Sequence, residues 1–245
     1  MIAKRGAFLT AEWRHLAMLN YAIDPVVLKP LIPLGTELDS YEGQFFVSVV
    51  GFLFLNTKVF GCSIPFHRNF EEVNLRFYVR RNTSEGWRRG VVFVRELVPR
   101  LAIASIARVV YGEPYTALPM RHRIERSEEG IAVEYGWSRG GRWEGVRAKA
   151  LGQPSPMKAG SQEEFIAEHY WGYTARPGGC SEYEVEHSPW RIWNALEASL
   201  EADMETLYGK AFVECLSARP ASAFIAEGSP IVVRRAIRSA QKFIS

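Results

Sequence analysis

Asn69-Phe70-Glu71-Glu72-Val73-Asn74-Leu75-Arg76-Phe77-Tyr78-Val79-Arg80 is the stretch on which the fold turns. From Glu72 onward polar and apolar side chains alternate: Glu72, Asn74, Arg76, Tyr78 and Arg80 against Val73, Leu75, Phe77 and Val79. A period of two sends successive side chains to opposite faces of a strand. Same-face neighbours then stand about 7 Å apart. Two environments suit the polar row. It meets solvent, as on a half-buried antiparallel sheet, or it lines an internal cavity with carboxylate, amide, guanidinium and phenol on one wall. The stretch alone leaves both open.

Moving outward, Asn82-Thr83-Ser84-Glu85-Gly86 reads as a turn, and Val91 to Leu97 as the strand that returns antiparallel. Phe45 to Phe54 is almost continuously apolar, which suits a strand covered on both faces in a closed or wrapped sheet. Residues 7–23 are extended. Asp24-Pro25 then makes a helix start, with Asp24 as N-cap and Pro25 in the first turn, and Pro30 and Pro33 keep that helix short. Leu38–Ser40 and Gln44–Leu55 flank the turn Tyr41-Glu42-Gly43 and suggest a hairpin.

Beyond the central pair, Leu101–Val110 leans helical by its Ile103, Ile106 and Val110 spacing. Short strands are expected over 119–126, 130–138 and 142–151. Ser161-Gln162-Glu163-Glu164 is a capping box that opens a helix to about Glu168. Residues 181–187 alternate again. Trp193, Leu196, Leu200, Met204 and Leu207 mark a helix after Ser188-Pro189, and Ala223–Val233 a final strand. With no repeat of fixed period and no Ser- or Pro-rich linker, this order reads as α+β, mostly antiparallel, in one domain over residues 1–245.

Composition narrows the function. A chain of 245 residues with 47% hydrophobic and 13% aromatic side chains buries a large core. A net charge of +3, with short basic clusters at Arg80-Arg81, Arg88-Arg89 and Arg121-His122-Arg123, points away from nucleic acid. Three widely spaced cysteines make neither a disulfide framework nor a zinc site. The apolar run Phe45–Leu55 is too short to span a bilayer, and Glu12, Arg14 and His15 break up any secretory leader, so a cytoplasmic location is expected. No phosphate loop, dinucleotide fingerprint, HExxH or nucleophile elbow is present, and the five histidines do not group as metal ligands. No cofactor and no metal are therefore expected. His187-Ser188-Pro189-Trp190 reads as a cap with an aromatic staple.

Several short motifs resemble the acetoacetate decarboxylase superfamily, and more closely its YqjF-like branch, DUF2071. They are Asn20-Tyr21-Ala22-Ile23-Asp24-Pro25 through Leu31-Ile32-Pro33, Phe70-Glu71-Glu72-Val73-Asn74, and Arg108 through Tyr111-Gly112-Glu113-Pro114-Tyr115. Glu168-His169-Tyr170 and Val185-Glu186-His187-Ser188-Pro189-Trp190 extend the likeness to the branch. The resemblance implies a large curved sheet wrapped into a cone or barrel around a buried cavity, with a few peripheral helices. It also implies that Tyr115 and Thr116 stand where the enzymes carry a Schiff-base lysine and its neighbour, so imine chemistry is lost. By the same likeness Arg14 and Glu72 match active-site arginine and glutamate, and a second glutamate falls near Ser48.

The expected site thus has Glu72 and Tyr115 as catalytic residues and Arg14, Asn74, Arg76 and Ser48 as substrate-binding ones. Its partner is a small organic molecule with a carbonyl or carboxylate group, and neither nucleic acid nor membrane. Whether such a cavity serves a cofactor-independent enzyme or a non-catalytic binding or sensing domain stays open, as does a weaker reading as an interaction protein. Titratable groups with opposed pKa shifts inside the cavity favour the enzyme.

Overall fold

The alternating stretch forms the strand Phe70–Thr83 in the computed structural model of the protein, which describes residues 6–99 and 114–240. In chain order the strands are β1 (Ala7–Ala22), β2 (Glu37–Leu38), β3 (Phe46–Val59), β4 (Phe70–Thr83), β5 (Gly86–Val98), β6 (Tyr115–Ala117), β7 (Met120–Arg126) and β8 (Gly130–Arg139). There follow β9 (Arg142–Leu151), β10 (Ser155–Pro156), β11 (Trp171–Arg176), β12 (Gly179–His187), β13 (Arg191–Asn194), β14 (Glu197–Glu201), β15 (Ser222–Arg234) and β16 (Ile237–Ala240). The expected helix over Leu101–Val110, and the Arg108 and Tyr111-Gly112-Glu113 part of the resemblance, lie outside the described residues.

Seven strands close into a ring: β15, β1, β3, β4, β5, β11, β12 and back to β15. Neighbours are antiparallel all the way round except β5 and β11, which run parallel. Closure comes where Val185, Glu186 and His187 meet Val233, Val232 and Ile231. Closing the sheet removes its edges and leaves an inside and an outside face, both needing cover. Outside, Val73, Leu75, Phe77 and Val79 of β4 join Tyr135, Trp137 and Val146 in one core. That core is sealed by a second, four-stranded sheet in the order β14-β9-β8-β7. Inside, Phe52, Phe54, Phe70 and Tyr78 belong to a separate cluster with Trp190 and Ile231. Cover on both faces is why β3 is apolar almost throughout. The architecture is the expected wrapped, mostly antiparallel α+β fold.

Gly51 shows how closely the two sheets approach. A Cβ there would lie 2.7 Å from Tyr135 Cδ2, so only glycine lets the tyrosine ring rest on β3. The helices are short and capped as expected. Asp24 accepts from Val26 N at 2.8 Å, starting the helix Pro25–Leu28. Ser161 Oγ accepts from Glu164 N at 3.3 Å, starting Gln162–Ala167. The Glu164 carboxylate turns to Gly160 N, 2.7 Å away, a variant of the reciprocal capping box.

Two expectations are corrected. Residues 38–40 make no hairpin with β3, because β2 pairs with β4, Glu37 opposite Arg80 and Leu38 opposite Val79. β3 reaches β4 only as far as Val47 opposite Phe77, and β2 supplies the backbone partners beyond that point. Nor does a helix follow Ser188-Pro189. Arg191–Asn194 and Glu197–Glu201 are strands, and within the expected helix only Met204–Tyr208 is helical. The helical spacing of Trp193, Leu196 and Leu200 is overridden by pairing: β13 adds to β15, and Ala198 and Leu200 lie opposite Ala148 and Val146 of β9.

Candidate functional site

A cavity of about 150 Å³ occupies the inside of the ring. Most of its wall is apolar, built from side chains such as Trp13, Phe54, Phe70, Phe93, Tyr183 and Trp190. Polar or ionisable residues interrupt that wall, among them Glu72, Arg76, Glu96, Tyr115, His169 and His187, with Thr57 and His67 also lining it. Of the polar row of β4, Glu72 and Arg76 therefore face the cavity, while Arg80 at the strand end meets solvent and pairs with Glu37. Glu72, Asn74, Arg76 and Tyr78 are 3%, 2%, 8% and 1% exposed, which settles the two readings of the strand.

Glu72 is the centre of this group. Asn74 Nδ2 donates to its Oε1 at 3.1 Å, and the Tyr115 hydroxyl donates to its Oε2 at 3.2 Å. Burial raises the carboxyl from 4.5 to about 7, and the two hydrogen bonds and the nearby Arg76 charge only partly oppose this. A carboxyl so placed exchanges its proton near neutrality. Tyr115 is brought there by β6, which runs parallel to β5 and sets Tyr115 opposite Glu96. Thr116 accepts instead from Arg95 Nη1 at 3.4 Å.

Arg76 donates from Nη2 to the Ile166 carbonyl at 3.2 Å, so the helix Gln162–Ala167 holds it. Its Nε has no hydrogen-bond partner among the described residues, and none of the ion pairs described among them involves it. Three imidazoles share the cavity wall with it, those of His67, His169 and His187. Burial pushes both His169 and His187 down to about 4, and the Arg76 charge acts in the same direction on each. Raised carboxyl and lowered imidazoles thus share one wall.

Of the expected site residues, Glu72, Arg76 and Tyr115 line the cavity together, and Asn74 stands behind Glu72. Ser48 does not line it. Its Oγ lies 2.6 Å from Asn20 Oδ1 and 2.5 Å from the Tyr78 hydroxyl, in a buried network beside the cavity. Arg14 is absent from the wall as well, and its expected place there is corrected. Its guanidinium pairs with Glu12 at 2.5 Å and donates to the Gly228 carbonyl at 3.2 Å. The cause is a bulge in β1, where the pairing with β3 slips between Arg14 and Ala17 and His15 takes φ 56°. One extra residue reverses the alternation. Trp13 takes the inward position, and Tyr135 donates from its hydroxyl to the His15 carbonyl at 2.8 Å, pinning the bulge.

Sequence reasoning also missed Glu96, His169 and His187. A second register slip, on β5 between the partners of Leu75 and Arg76, sets an extra residue at Val94, and both Phe93 and Glu96 come to line the cavity. Nothing in Val94-Arg95-Glu96 announces that slip. Among the described residues no group of three or more His, Cys, Asp or Glu side chains is placed to hold a metal ion. The three cysteines are free thiols.

The chain is similar to several known proteins. It is 28% identical over 198 residues to the uncharacterised protein YqjF of Bacillus subtilis, covering 79% of this chain and 78% of that one. Acetoacetate decarboxylase from Legionella pneumophila superposes with a TM-score of 0.66 at 14% identity, over 99% of this chain and 93% of that one. The enduracididine biosynthesis enzyme MppR, solved with pyruvate, superposes with a TM-score of 0.64 at 12% identity, over 97% and 91% of the two chains. Those structures share the fold. The sequence profile of DUF2071, described as an uncharacterised conserved protein, matches residues 10–230. The chain accordingly belongs to the DUF2071 family, built on the acetoacetate decarboxylase-like fold.

Proposed function

We propose that the cavity takes up a small carbonyl compound and that Glu72 moves a proton on the carbon next to the carbonyl, without cofactor and without an imine. One observation carries the reading: a carboxyl held near 7 inside a mostly apolar cavity, with a phenol hydrogen-bonded to it. As carboxylate, Glu72 removes the proton and becomes the neutral acid. The electron pair of the broken C–H bond moves to the carbonyl oxygen, which the Tyr115 hydroxyl and the Arg76 guanidinium stabilise as an enolate. Return of the proton to the same or a neighbouring carbon completes an exchange or an isomerisation. Asn74 keeps the Glu72 carboxyl in place. Arg76 also suits a carboxylate on the same ligand. Support for small carbonyl ligands in this fold comes from MppR, solved with pyruvate.

The experiment is proton exchange in D₂O, followed by ¹H NMR over a panel of small ketones and keto acids. Loss of an α-proton signal with the wild-type chain, and none with Glu72→Gln, is expected. Silence across the panel, while some of its members bind, would leave a non-catalytic binding protein as the better account.

Imine formation is expected to be absent. Tyr115 stands at the position matched to the Schiff-base lysine, and no lysine lines the cavity among the described residues. An exposed lysine keeps a pKa near 10.4 and offers almost no free amine at neutral pH. Incubation with acetoacetate and borohydride should leave the mass unchanged and release no carbon dioxide. A stoichiometric adduct on one lysine would replace this mechanism with the imine one.

A further inference from the structure

We propose that His187, stacked on Trp190, offers the cavity a fixed neutral hydrogen-bond acceptor at Nε2 and selects ligands that carry a hydroxyl or N–H donor on a flat ring. This rests on the cavity being the ligand site. The segment His187-Ser188-Pro189-Trp190 caps no helix; it ends β12 and leads into β13. Its two aromatic rings, His187 and Trp190, lie 4.2 Å apart at 17°, and both line the cavity. Tyr170 sits 4.7 Å from the imidazole as well, and Trp13 lies 6.3 Å from Trp190.

The imidazole is held in one orientation and one tautomer. Its Nδ1 is 3.0 Å from the Ser188 carbonyl oxygen. A carbonyl only accepts, so Nδ1 carries the ring proton and Nε2 keeps its lone pair. Trp190 is fixed in turn, donating from Nε1 to Ser229 Oγ at 2.9 Å. His187 itself is tied into the ring closure opposite Ile231. Among the described residues Nε2 has no hydrogen-bond partner. Burial keeps the imidazole neutral at pH 7, so Nε2 accepts and does not donate.

The other polar groups of the wall are placed differently, His67 among them, whose Nδ1 lies 2.7 Å from the Pro65 carbonyl oxygen in the loop between β3 and β4. Arg76 donates to the Ile166 carbonyl, Tyr115 donates to Glu72, and Glu72 accepts from Asn74 and Tyr115. His169 packs its ring against Tyr78 and Phe165, with Nε2 3.5 Å from Asp39 Oδ2, and neither ring nitrogen has a hydrogen-bond partner among the described residues. The volume, about 150 Å³, is that of a cavity able to hold a benzene ring. Aromatic walls beside a fixed acceptor fit a ring bearing a donor.

Phenol and toluene, nearly equal in volume, are the probes, titrated into the full chain by calorimetry. Wild type should prefer phenol. In His187→Phe, which keeps a flat ring beside Trp190, the preference should vanish or reverse, since a buried hydroxyl without a partner is costly. The phenol-to-toluene affinity ratio should change roughly tenfold, the size of one hydrogen bond to a fixed buried acceptor. In the wild-type chain the ¹⁵N resonance of His187 Nε2 should move on adding phenol and stay still with toluene, a readout that does not depend on the variant. Equal affinities in wild type, a ratio that survives in His187→Phe, or an unmoved Nε2 with phenol bound would overturn the role of His187 while leaving the cavity reading intact. Uptake of neither probe would overturn both.

Discussion

Glu72→Gln should lower proton exchange on the cavity's ligand by roughly 10²–10⁴-fold, the usual contribution of a positioned general base. Glutamine keeps the shape and an oxygen for Asn74 but removes the proton carrier. In wild type the active form is the carboxylate, so the rate should fall as pH drops through about 7, where the buried carboxyl takes up its proton. The same raised pKa makes a stability prediction of fixed sign. Below 4.5 the carboxyl is protonated in both folded and unfolded chains. Between 4.5 and about 7 the folded chain holds the proton more tightly, so this favourable contribution disappears as pH rises. Its full size is on the order of 3 kcal/mol. Wild type should therefore lose stability relative to Glu72→Gln between pH 4 and pH 8, as read by urea denaturation of both chains. A gap between them that does not change with pH would show that the carboxyl is not raised.

Gly228→Ala should cost at least about 3 kcal/mol, combining overpacking with a side chain at positive φ. Gly228 has φ 79°, and a Cβ there would lie 1.9 Å from the Trp13 carbonyl oxygen. That oxygen is backbone, so no rotamer change relieves the clash. The position also ties the bulge to its neighbour, for the Gly228 carbonyl accepts from Arg14 and Gly228 lies opposite Arg14 in the pairing of β1 with β15. Thermal unfolding should shift down by roughly 10 °C. The cavity should suffer with it, because Trp13 next to the bulge forms part of the wall. A stable Gly228→Ala chain with ligand uptake unchanged would mean that β1 and β15 separate more easily than their close approach implies.

How much was legible depended on whether alternation ran unbroken. Along β4 it did, and Glu72, Asn74, Arg76 and Tyr78 share a face as the pattern requires. Caps were legible too, since Asp24 and Ser161 act through their own next residues. Bulges were not. The slip at His15 turned Arg14 out and Trp13 in, and the slip at Val94 made Glu96 part of the wall. Each depends on what two strands do together, which a single stretch does not carry. Residues 191–201 failed for a related reason: their helical spacing is real, but β9 and β15 offered partners that the local sequence does not reveal. Likewise, His187 gained its place only when β12 and β15 closed the ring.

The central claim is that a carboxyl sits protonated near neutrality inside this cavity. Carboxyl ¹³C NMR of the full chain, with Glu72 assigned by its absence from the spectrum of Glu72→Gln, measures it directly. The account predicts a titration midpoint for Glu72 close to 7. A midpoint near the ordinary 4.5 would contradict it, leaving a buried but unperturbed glutamate and no reason to assign it a proton to move.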